Sequence, residues 1–144
     1  METDSLNADL SSGIAAFESK NFAMAYQLLL PIATQGDDEA LFRVGMMQMN
    51  GLGMVEDQNT GFENLKKSAE KGHGFAKHMV GVAYMQGEGV EKDIKQAINY
   101  FEQAADLGLA GAMMTLGMIY EEGKDVQQDT QKAQYYYNLA EKNT

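Results

Sequence analysis

Four small groupings of residues have types and spacings that chemistry uses. Ser68-Ala-Glu-Lys71 has the serine-x-x-lysine spacing of penicillin-recognising acyl enzymes, in which a lysine lies one helical turn from a serine nucleophile. Gly51-x-Gly53 and Gly87-x-Gly89 are pairs of the kind that lets a loop cradle a phosphate. His73 and His78 are the only histidines, and Glu121-Glu122 is a pair of adjacent carboxylates. Each lacks the rest of its chemistry. No lysine-threonine-glycine partner accompanies the serine anywhere in the chain. The glycine pairs follow a helical pattern instead of a strand and have no third glycine. The histidines are five apart and miss the i, i+4 spacing that puts two ligands on one helix face. Neighbouring carboxylates on a helix point about 100° apart and cannot clamp one atom. These readings predict a chain that is not an enzyme, with no catalytic residues, no metal site and no cofactor. His73 is expected to lie solvated in a turn, and His78 to face whatever Phe42 and Met114 face.

Composition narrows the partners. Of 144 residues 44% are hydrophobic and 22% charged, a globular balance. Against 11 basic side chains stand 21 acidic ones, for a net charge of -10, and Arg43 is the only arginine. Clustered Lys and Arg, which phosphate neutralisation requires, are therefore missing, which argues against nucleic acid and anionic membrane surfaces as partners. Zero Cys removes thiol nucleophiles, redox pairs and Cys-ligated zinc. The longest apolar run, residues 28–33 with Pro31 inside it, is too short to insert across a bilayer. The first twenty residues carry Glu2, Asp4, Asp9 and Glu18 and no apolar stretch of signal-peptide length. That predicts a cytoplasmic protein if Met1 is the native start, and a periplasmic or secreted one if a leader has been removed.

The elements that must position any site are repeated. Gly45, Gly81 and Gly117 stand 36 apart, and the same step joins Ala40, Ala76 and Ala112; Gly51, Gly87 and Gly123; Asp57, Asp93 and Asp129; and Leu65, Phe101 and Tyr137. Carried backwards from Gly108 and Gly72 the step reaches Gly36, and from Asp93 and Asp57 it reaches Asn21. The chain 1–144 thus reads as one repeat domain, with copies at 37–72, 73–108 and 109–144 and a degenerate copy at 1–36. Within a copy an apolar pattern of 3.6-like spacing is broken by a glycine loop and then resumes, so each copy is helix, loop, helix. The spacing predicts eight helices, at 4–19, 22–35, 37–50, 58–71, 74–86, 94–107, 110–122 and 130–142, and no strand. Asp93 with Gln96 resembles a capping box, with Asp57 and Asp129 in the same place in their copies. Gly36, Gly72 and Gly108 sit where a helix takes a left-handed cap.

The run Ala112-Met-Met-Thr-Leu-Gly-Met-Ile-Tyr-Glu-Glu-Gly, followed by a loop, Asp129, Ala133, Tyr136 and Ala140, recurs as Ala76 to Ala105 and as Ala40 to Ala69. In this it resembles the Sel-1-like repeat, a branch of the tetratricopeptide superfamily, over residues 38–144. The first copy, with Gly13, Phe17, Asn21-Phe22, Ala25 and Leu29, looks more like a plain tetratricopeptide unit with a short loop. Copy one departs with Gln48 where Tyr84 and Tyr120 follow, and copy three with Asp125 in place of Gly53 and Gly89. The resemblance implies an all-α, right-handed αα-solenoid of about four helix pairs. It also implies a scaffold that holds partner proteins together.

The first helix of each copy carries two apolar stripes where one suffices for a surface helix. One is small and branched: Ala40, Val44 and Met47, then Ala76, Val80 and Ala83, then Ala112, Leu116 and Ile119. The other is Phe42, Met46 and Met49, then His78, Val82 and Met85, then Met114 and Met118, with Leu10, Ile14 and Phe17 in the degenerate copy. In tetratricopeptide-like solenoids the first helices line the concave surface, so the second stripe is expected to floor a groove there. With Glu121 at its end, it would bind a neutral or basic protein or peptide. The competing expectations are a self-assembling repeat protein, from the apolar Tyr135-Tyr-Tyr-Asn-Leu139 helix that no capping helix follows, and a serine-dependent hydrolase built on Ser68.

Overall fold

The computed structural model describes residues 2–144, and among them the chain forms eight α-helices and no strand. They are α1 (Glu2–Glu18), α2 (Phe22–Thr34), α3 (Asp38–Asn50), α4 (Gln58–Glu70), α5 (Gly74–Gln86), α6 (Ile94–Asp106), α7 (Ala110–Glu122) and α8 (Thr130–Lys142). Every boundary falls within two residues of the expectation from periodicity. Each helix packs on its neighbours in the chain, and first helices also touch first helices.

Helix starts follow the 36-residue step. The side chains of Asp57, Asp93 and Asp129 accept the backbone N–H of Thr60 at 3.2 Å, Gln96 at 3.2 Å and Lys132 at 3.0 Å. Asn21 does the same for Met24 at 3.4 Å. The reciprocal half of a capping box, from the Gln96 side chain, is not formed among the described residues. Helix ends repeat as well: Gly36, Gly72 and Gly108 take φ of 95°, 96° and 88°. The next residues, Asp37, His73 and Leu109, donate their N–H groups back to the carbonyls of Ile32, Ser68 and Ala104, which closes the last turn.

Two of the sequence ladders meet in space. A Cβ built on Gly81 would sit 2.7 Å from Phe101 Cε1, one on Gly117 2.5 Å from Tyr137 Cε1, and one on Gly45 2.9 Å from Leu65 Cγ. The glycines therefore let the first helix of each copy press its backbone against the large side chain at the middle of the second. The degenerate copy makes the same contact between Gly13 and Leu29, where a Cβ would lie 2.5 Å from Leu29 Cδ2. Around these contacts lies the core: Leu29, Val44, Met47, Leu65, Val80, Phe101, Met113 and Leu116 are all fully buried.

The two departures from the repeat are each accommodated. Tyr84 and Tyr120 stack on Tyr100 and Tyr136, with ring centroids 5.9 Å and 6.2 Å apart. One repeat earlier Gln48 and Asn64 replace the two rings, and the Asn64 amide donates to Gln48 Oε1 at 2.6 Å. Gly53 takes φ of 71° and Gly89 of 72°, whereas Asp125 stays out of the left-handed region and pairs with Lys92 at 3.2 Å.

Gly81→Leu forces a side chain into the space held by the Phe101 ring, and is expected to destabilise the chain by about 2–3 kcal/mol in urea unfolding. Wild-type stability in that variant would disprove the close-packing role of the glycine ladder.

Candidate partner-binding face

A chain of polar and aromatic contacts joins the first helices. On α3, Arg43 lies over the Phe17 ring of α1 at 4.9 Å, donates to Glu39 Oε1 at 2.8 Å and reaches Glu18 at 3.4 Å. Glu39 meets His73, the N-cap of α5, with Oε2 2.7 Å from Nε2. The Ala76 N–H donates to His73 Nδ1 at 3.1 Å, so Nδ1 carries no proton and Nε2 is the donor to Glu39. The His73 ring also stacks on Phe42, centroids 4.5 Å apart at 24°. The expectation of a solvated His73 is thus corrected: its side chain is only 10% exposed and is fully engaged, because it serves at once as helix cap, donor of a cross-copy N–H bond to Glu39 and stacking partner of Phe42. Neither its spacing from His78 nor its place in a turn could convey that.

The second stripe grows more exposed from α3 to α7. Leu10, Ile14 and Phe17 are half-buried, as are Phe42 and Met46 on α3 and His78, Val82 and Met85 on α5. On α7, Met114 is 45% and Met118 49% exposed, and Glu121 is exposed beside Glu122. Met49 is a correction. Expected among the partner-binding residues, it is 4% exposed within the core, because the α3 backbone there presses onto α4 at Gly61, where a Cβ would meet Met49 N at 2.6 Å. Its repeat equivalents are Met85, half-buried, and Glu121, exposed.

His78 packs edge-on against Phe101 at 5.4 Å, and burial pushes its pKa below the ordinary value. Tyr137, beside the C-terminal end of α7, has its pKa raised by burial, by the carboxylates of Glu121 and Glu122 and by a hydrogen bond to Glu121. Ser68 is fully buried, and its hydroxyl donates to the Asp38 carbonyl at 2.7 Å; it fastens the end of α4 to the start of α3. Lys71 lies instead against Gly36. Sequence reasoning missed Phe75, 63% exposed at the start of α5, and Leu109 and Gly111 at the start of α7, which with His78 line one cavity. The signal was there: repeat position Glu39, Phe75, Gly111 changes type in every copy.

At Glu39 burial opposes ionisation, but the hydrogen bonds from His73 and Arg43 outweigh it and hold the pKa below its ordinary 4.5. The folded carboxyl thus takes up its proton later than the unfolded one. Its stabilisation is complete above about pH 4.5 and is lost as pH falls through the lowered value. Glu39→Gln is therefore expected to lower the melting temperature at pH 7 and to flatten its decline below pH 4.5, measured by circular dichroism. Parallel curves for the two proteins would remove the network from the stability of the fold.

Among the described residues no helix is long and apolar enough to cross a membrane. No curated protein matches the chain in sequence. Among solved structures, a Sel1 repeat protein from Oxalobacter formigenes superposes with a TM-score of 0.84 at 25% identity, over 94% of this chain and 56% of that one. A protective antigen of uropathogenic Escherichia coli strains, described as displaying an SLR fold, gives a TM-score of 0.88 at 29% identity, over 98% of this chain. The chain spans only 32% of that antigen's length. Cysteine-rich protein B of Helicobacter pylori shares the fold at a TM-score of 0.59 and 19% identity, over 78% of this chain and 95% of that one. The Sel1 repeat model matches residues 38–73, 74–109 and 110–143. With that match and those superpositions, the chain belongs to the Sel1 repeat family, an αα-solenoid family whose members are in general non-catalytic scaffolds for protein interaction.

Proposed function

We propose that the chain is a non-catalytic adaptor that binds a partner protein or peptide on the face formed by α1, α3, α5 and α7, the concave face by analogy with other tetratricopeptide-like solenoids. The observation that carries this reading is the pair Met114 and Met118, about half-exposed on α7 beside half-buried His78, Val82 and Met85 on α5. Contiguous apolar exposure of this kind marks interaction surfaces, and flexible, polarizable methionines accept partners of varied shape. Phe42 and Met46 extend the floor backwards at lower exposure, and Met49 plays no part in it. The net charge of -10, with Glu121 on the face, favours a neutral or basic partner and disfavours nucleic acid, through an attraction that salt screens. The buried, hydrogen-bonded Ser68 hydroxyl supports a role without catalysis.

Met46 and Met85 pack against the core, so changing them would mix folding with binding. Met114→Asp with Met118→Asp tests the face where it is open. The double variant is expected to unfold within about 1 kcal/mol of wild type. It should also lose the proteins that wild type retains in affinity capture read by quantitative mass spectrometry. Full recovery of those proteins would refute the assignment.

A further inference from the structure

The repeat supplies its own comparison for the junction between α5 and α7. One copy earlier, between α3 and α5, three rings gather at the equivalent place: Phe42 stacks on His73 at 4.5 Å, and Phe75, 63% exposed, stands over them 6.4 Å from Phe42. Thirty-six residues on, the same positions are His78, Leu109 and Gly111. A Cβ on Gly111 would lie 3.5 Å from His78 Cε1, an ordinary contact, and its φ is not positive, so neither close packing nor backbone conformation calls for glycine there. Glycine is a poor helix former, and this one lies in the first turn of α7. What it leaves is a cavity of about 490 Å³ lined by Phe75, His78, Gly108, Leu109, Ala110 and Gly111.

We propose that this cavity receives one aromatic side chain, Trp or Tyr, of a partner segment that carries a Lys or Arg four to five residues away to meet Glu121 and Glu122. The proposal rests on the partner face described above and names what that face selects. The aromatic requirement comes from the fold's own precedent, since a ring occupies this place one copy earlier. The preference for a ring with a donor comes from His78, on which burial acts with no side-chain hydrogen bond beside it. Its burial favours the neutral ring, which leaves a nitrogen lone pair to accept from an indole N–H or a phenol O–H. The cationic requirement is charge complementarity. Glu121 and Glu122 are exposed and make no ion pair among the described residues. Met114, Met118 and Glu121 follow one another at helical spacing on the same face of α7. Ten residues separate Gly111 from Glu121, roughly 15 Å of helix rise, which an extended chain covers in about four to five residues.

The test uses the whole chain labelled with 13C in its methionine methyls and titrated with the peptide acetyl-Trp-Ser-Thr-Ser-Thr-Lys-amide. Saturable shifts of the Met114 and Met118 methyls and of the His78 Hε1 proton are expected at up to about 5 mM peptide. Alanine in place of the peptide's Trp is expected to weaken binding by about tenfold or more, the effect of losing an anchor. Glutamate in place of its Lys should weaken it by about threefold at low salt and less at high salt. Gly111→Phe, which supplies the missing ring from within, is expected to melt at or above the wild-type temperature and to bind the Trp peptide about tenfold more weakly. The absence of saturable shifts overturns the proposal, as does equal binding of the Trp and Ala peptides, a result that needs no variant to fold. Reversible dimerisation through this face, seen by sedimentation and abolished by Gly111→Phe, would assign the cavity to a second copy and also overturn it. If Gly111→Phe retains the captured proteins and the Met114→Asp, Met118→Asp variant does not, the pocket is wrong and the wider face stands.

Discussion

Backbone pressed against side chain at one point in each helix pair sets the geometry on which everything else depends. Where Gly45, Gly81 and Gly117 meet Leu65, Phe101 and Tyr137, the two helices approach more closely than any Cβ would allow. That separation fixes how far apart the outward faces of a copy lie, and so how the next copy can stack. The degenerate copy separates this contact from the 36-residue step. There Gly13 meets Leu29 across 16 residues instead of the 20 between Gly45 and Leu65, because the turn through Lys20 is four residues shorter than the loop 51–57. The contact survives the change in loop length, so it is the more basic constraint and the loop adapts to it.

A solenoid built in this way has no single interior. Burial at one register position differs from copy to copy. At the position of Met49, Met85 and Glu121 the side chain is buried, then half-buried, then exposed, and its chemistry changes from apolar to charged accordingly. The same stripe is thus core at α3 and surface at α7. The polar chain from Glu18 through Arg43 and Glu39 to His73 ties three consecutive copies together. It orders the α1–α3 and α3–α5 junctions, whereas the Met-lined part of the face lies on α5 and α7.

How much of this was legible in the sequence depended on whether a residue acts within its own copy. The helix ends were legible, because caps such as Asp57 and turns such as Gly72 act over three or four residues and recur in register. The packing role of the glycine ladder was legible for the same reason, although its partners Leu65, Phe101 and Tyr137 appeared only as a parallel ladder. The role of His73 was not legible, since it depends on Glu39 and Phe42 across a copy boundary, 34 and 31 residues away. Met49 was misplaced because helical periodicity gives the face of a residue but not whether a neighbouring helix covers that face.

Departures from the repeat fall into two physical kinds. When Tyr84 and Tyr100 are exchanged for Gln48 and Asn64, both partners change together, and a hydrogen bond replaces a stack without leaving a void. Asp125 likewise replaces a glycine and finds Lys92. Such matched changes keep the solenoid intact and carry no functional information. The change from Phe75 to Gly111 is unmatched: His78 and Leu109 replace Phe42 and His73 but do not grow into the space the ring held, and the volume stays open at the surface. In a fold where close packing repeats with the period of the sequence, an unfilled position is visible only against its own copies. An open, apolar-walled position of this kind is where a repeat protein can distinguish one partner from another while its scaffold stays the same.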